Sequence, residues 1–111
     1  ISTVTQPSIT VLSPNGGETY SVGGRIGISH RIENVFTGSK ISVSLGGETT
    51  TWPILTDVYV DSFPETYWWT IPSNVPPDNN YKITISARNS SNQILASDSS
   101  DIPFTITAPT Q

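Results

Sequence analysis

The chain has 111 residues, of which 34% are hydrophobic and 31 are Ser or Thr, with no cysteine and a net charge of −4. That length holds one domain with a small core, and five Lys and Arg in an acidic chain exclude a nucleic-acid-binding face. The missing thiols exclude disulfides, thiolate metal sites and a Cys nucleophile. His30 is the single histidine, so a Ser-His-Asp arrangement would have to run through that one ring. No run of 18 apolar residues occurs, and no membrane insertion is expected.

Residues 1–7 are polar with Thr and Pro and are expected to be a linker. They lack the charged and apolar regions of a secretory leader, so a secreted parent would make this chain a mature or excised piece. From there the apolar residues alternate with polar ones, period two, over one segment after another. Ile9 and Val11 begin the pattern, and the turn Pro14-Asn15-Gly16-Gly17 closes it. A short piece around Tyr20 and Val22 precedes Gly23-Gly24. Ile26, Ile28, His30 and Ile32 then share one face, as do Ile41, Val43 and Leu45. Gly46-Gly47 suits a hairpin into a strand over Thr49–Ile54. The twelve residues Leu55–Thr66 read as an irregular loop. Tyr67, Trp69 and Ile71 point inward opposite Trp68 and Thr70. After the rigid turn Pro76–Asn80, Tyr81, Ile83, Ile85 and Ala87 alternate with Lys82, Thr84, Ser86 and Arg88. Asn89–Asn92 closes a hairpin onto Ile94–Ala96, and Phe104 and Ile106 lie on a last strand. Residues 108–111 read as a second linker.

No segment sustains the 3.6-residue period of a helix. Seven or eight half-buried strands separated by turns specify an all-β sandwich over residues 8–107. The expected core is Ile9, Val11, Ile26, Ile28, Ile41, Val43, Trp69, Ile83, Ile85, Phe104 and Ile106.

Three stretches carry a family resemblance: Ile9–Tyr20 with its Pro14-Asn15-Gly16-Gly17-Glu18 turn, Tyr67–Pro72, and Ser97–Ile106. Together they resemble the Ser-Thr-rich, GPI-anchored-type (Kre9/Knh1-like) extracellular domain family, in a prokaryotic-looking form. The resemblance implies an immunoglobulin-like or fibronectin-III-like sandwich at the cell surface, with no catalytic residues to transfer. It also implies an extracellular place and neighbouring domains of a parent chain as partners. Where that family usually carries Trp on its second strand, this chain has His30, so the inner face there must be repacked or partly polar.

The expected function is therefore a non-catalytic spacer or interaction module, with no cofactor. The alternative is a carbohydrate-binding module that stacks polysaccharide rings on Trp52, Trp68 and Tyr59. Phe63 would extend that platform, and Thr50, Thr70 and Asn74 would orient the sugar. If a metal is held, calcium is the expected ion, with Asp57, Asp61, Asp98 and Asp101 as oxygen donors; otherwise these carboxylates cap turns. His30 is expected inside, with a ring N–H bonded to a carbonyl or hydroxyl.

Overall fold

A computed structural model describes residues 7–35, 38–47 and 51–108. Among them are nine strands: β1 (Ser8–Ser13), β2 (Thr19–Ser21), β3 (Arg25–Glu33), β4 (Lys40–Gly46), β5 (Thr51–Tyr59), β6 (Thr66–Thr70), β7 (Asp78–Arg88), β8 (Ile94–Ser99) and β9 (Phe104–Thr107). One 3-10 turn, Val60–Ser62, follows β5. Residues 1–6 and 109–111 of the expected linkers, and Thr49 and Thr50, lie outside the described residues.

The strands form two facing sheets. One has the order β1-β3-β6; the other runs β2-β9-β7-β4-β5, with β8 also paired to β7. Period-two alternation puts one side of every strand between them. Ile9, Val11, Ile26 and Ile28 come from the first sheet, and Ile41, Val43, Leu45, Ile83, Ile85, Phe104 and Ile106 from the second. All are buried in one cluster. Tyr20 meets Phe104 edge to face at 5.6 Å and Tyr81 lies beside it, so aromatic area fills the β2-β9 end of the core. Trp69 points inward as its register requires, but it is half-buried and packs against the core from its side.

The Pro14–Glu18 motif is a folding device. The Glu18 carboxylate accepts the Asn15 and Gly16 backbone N–H groups at 2.8 and 2.7 Å. The Asn15 side chain exchanges two bonds with Asp101, accepting its N–H at 2.8 Å and donating to its carboxylate at 3.0 Å. A Cβ at Gly16 would collide with the Ile102 side chain, and its φ of +143° disfavours any L side chain. Ser100 locks the same corner from beneath, donating to the Pro14 carbonyl at 2.6 Å and accepting the Ile83 N–H.

Two expectations need correction. Leu55–Thr66 is not all loop, because β5 continues to Tyr59 against β4 through two register shifts. Asp57, at φ 54°, sits within that irregular stretch. β5 is an edge strand, which is where Pro53 can be accommodated without a missing ladder bond. β7 also starts earlier than expected, at Asp78, directly after Pro76-Pro77.

Candidate functional site

Trp52 does not reach an outer face. It stands opposite Leu45, and directly paired residues of an antiparallel ladder share a face. Leu45 is fully buried, so the Trp52 ring is directed toward the core and packs against it. Its Nε1 is buried and has no hydrogen-bond partner among the described residues. Trp68 belongs to the other sheet, on β6, and is 61% exposed on the outer side. The expected two-tryptophan platform is therefore split between an inner and an outer face of different sheets.

Tyr59 is 55% exposed at the end of β5, with the Lys40 ammonium 5.8 Å from its ring centroid. That places it on the six-stranded sheet, apart from Trp68. Phe63 is 8% exposed and belongs to the core. Thr70 lies beside Arg25 on the outer face that carries Trp68.

The four expected calcium donors fall into separate places. The Asp98 carboxylate accepts the Val11 N–H at 2.7 Å, and Asp101 is bound to Asn15. Asp57 and Asp61 lie at β5 and the turn after it, on the opposite edge of the β4-β7 pair from β8. Among the described residues no three His, Asp or Glu side chains are grouped to hold a metal ion. Asn89, in an Asn-x-Ser sequence, uses its side-chain carbonyl to accept the Ser91 and Gln93 N–H groups. That closes the β7-β8 hairpin as expected.

His30 lines a cleft of about 440 Å³ with Leu12, Arg31, Ile32, Val60, Phe63 and Glu65. The cleft exists because β6 starts at Thr66, opposite Ser29, and leaves the rest of β3 to be covered by the β5-β6 connection. His30 fastens that connection. Its ring stacks on Phe63 with centroids 4.2 Å apart and planes within 9°. Its Nε2 is 2.7 Å from the Pro64 carbonyl oxygen, which can only accept, so Nε2 carries the proton. Nδ1 is then the bare nitrogen, buried and without a partner among the described residues. Burial holds the ring below the usual histidine range, against the opposing pull of the Pro64 carbonyl and the Glu65 carboxylate. With one nitrogen bonded to backbone and the other sealed, the ring is a clasp on the β5-β6 connection.

Trp68 was legible as outward-facing, but the residue beneath it was not. It stands opposite Gly27 on β3, where a Cβ would come within 3.0 Å of the indole Cη2 and Cζ3. The missing side chain lets the ring lie against the sheet, an aromatic covering a strand glycine. The Arg25 guanidinium stands 5.7 Å from the ring centroid. The Ser29 and Thr66 hydroxyls, 3.1 Å apart, follow along the same face.

No protein-family model matches the chain, and a comparison with curated proteins finds no match. Among solved structures it is similar to the Clostridium thermocellum CbhA fibronectin(III)-like modules. That similarity has 20% sequence identity and a TM-score of 0.46, over 90% of this chain and 93% of that chain.

Proposed function

We propose that this chain is a non-catalytic immunoglobulin-like spacer module of a larger secreted or cell-surface protein, flanked by other domains of its parent. One observation carries the reading: the path enters and leaves the sandwich at opposite ends. Ser8, where β1 starts, lies beside Glu33 at the far end of β3. Thr107, where β9 ends, accepts the Val22 N–H near the start of β3. The nine residues of β3 separate these points, at about 3.3 Å each.

A pull on the two ends therefore acts lengthwise along β1 and β9. β1 is held by its ladder to β3, and β9 is held by both β2 and β7. Several backbone bonds share such a load instead of opening one at a time. The Ser- and Thr-rich composition and the resemblance of the Pro14–Glu18 turn to surface modules support an extracellular setting. No helix of the described residues is long and apolar enough to cross a membrane.

Three copies of the chain joined head to tail test the reading by small-angle X-ray scattering. The maximum dimension should grow by about one domain length per added copy. A compact particle, with copies folded back beside one another, would contradict it.

A further inference from the structure

We propose that the outer face of the three-stranded sheet, centred on the Trp68 indole and the Arg25 guanidinium, binds an acidic polysaccharide built from uronate sugars. This goes beyond the spacer reading, which stands without it.

Trp68 is a large ring left 61% exposed on a chain with few hydrophobic residues to spare. An exposed indole presents a broad, rigid apolar face against which a ligand ring can lie. Gly27 removes the side chain that would otherwise tilt the indole off the sheet. The ring lies over the Gly27 backbone with most of its surface exposed, which leaves apolar area for the C–H face of a sugar.

Arg25 supplies the charge preference. It is exposed, its guanidinium lies over the ring 5.7 Å from the centroid, and it makes no ion pair among the described residues. A guanidinium is a planar fork that binds carboxylates through two parallel hydrogen bonds. Among the described residues, Glu33 ends β3 at the far end from Arg25, and Glu65 lines the His30 cleft with Arg31. Arg25 is therefore left as the unneutralised cation next to the stacking surface. Two residues along both strands from the Gly27–Trp68 pair, Ser29 and Thr66 offer hydroxyls for the next sugar. A neutral glycan would use the ring and hydroxyls alone; a uronate chain uses all three.

The test is a titration of the whole chain, followed by NMR at the Trp68 indole N–H, with galacturonate hexamer and with cellohexaose. The galacturonate hexamer should shift that resonance with a dissociation constant of about 0.1–1 mM. Cellohexaose should bind about tenfold more weakly or less. Arg25→Gln, a surface change that leaves the core untouched, should reduce the galacturonate affinity to the cellohexaose level. Trp68→Ala, followed at the Gly27 and Ser29 backbone amides because the indole signal is gone, should abolish the shifts caused by both hexamers, with backbone resonances elsewhere unchanged. If Trp68→Ala does not fold, Arg25→Gln still decides the matter. Equal affinity for the two hexamers, or an Arg25→Gln variant with unaltered binding, would overturn the proposal. So would a Trp68 resonance unmoved by either sugar at about 10 mM, which would leave the indole as a cover for Gly27.

Discussion

The Asp98 carboxylate on β8 accepts the Val11 N–H of β1 at 2.7 Å, joining the edge of one sheet to the edge of the other. Asp98 stands opposite Ile85, a fully buried residue, so its side chain points between the sheets. β1 and β8 lie side by side here without a ladder, and the carboxylate takes the place of the missing backbone partner. An inward charge on a strand also discourages pairing with a foreign edge.

Removing that acceptor leaves the Val11 N–H unsatisfied. Asp98→Ala should cost about 1–3 kcal/mol in chemical denaturation. Asp98→Asn retains a side-chain oxygen and should cost less than half as much. An alanine variant as stable as the parent would mean that water satisfies Val11 equally well.

The His30 clasp makes stability depend on pH. Because burial lowers the folded-state pKa, the unfolded chain takes up the proton first as pH falls below about 6.5. The contribution is complete above that pH and is lost as pH falls through the folded value. His30→Gln removes this titration. Between pH 7 and 5, its melting temperature should fall less steeply than that of the parent chain. Identical slopes would show that the ring is free to protonate in place.

The sheet alternation was readable because each inner residue sits two positions from the next. From Ile9 to Ile106, ten of the eleven expected core residues are buried, and Trp69 is half-buried on the expected side. Parity fails where the ladder slips. β5 carries two register shifts opposite β4 and a left-handed Asp57, so counting along Pro53–Tyr59 cannot tell inside from outside. Leu55–Tyr59 therefore reads locally as a loop, while Trp52 lies before the slips and its inward side follows from pairing with Leu45, which its Thr-rich neighbours do not reveal. The partnership of Trp68 with Gly27 and that of His30 with Phe63 and Pro64 depend on pairing between residues far apart in the chain, which no local pattern encodes.

Trp52 gives a direct check on its corrected place. Trp52→Ala should lose on the order of 2 kcal/mol, since the ring packs against the core. Trp52→Phe should stay within about 1 kcal/mol of the parent. It keeps an aromatic against Leu45 and removes a buried N–H that has no partner. A surface tryptophan would tolerate both changes alike, so an unperturbed Trp52→Ala would return it to the outer face.

The central claim is that the path runs through the module from end to end, and one distance tests it. The chain has no native cysteine, so spin labels can be placed cleanly at Ser8→Cys and Thr107→Cys. The length of β3 predicts a separation of about 25–30 Å between the labelled positions by pulsed electron paramagnetic resonance. A distance under about 15 Å would place both ends at the same pole of the sandwich. The spacer reading could not survive it.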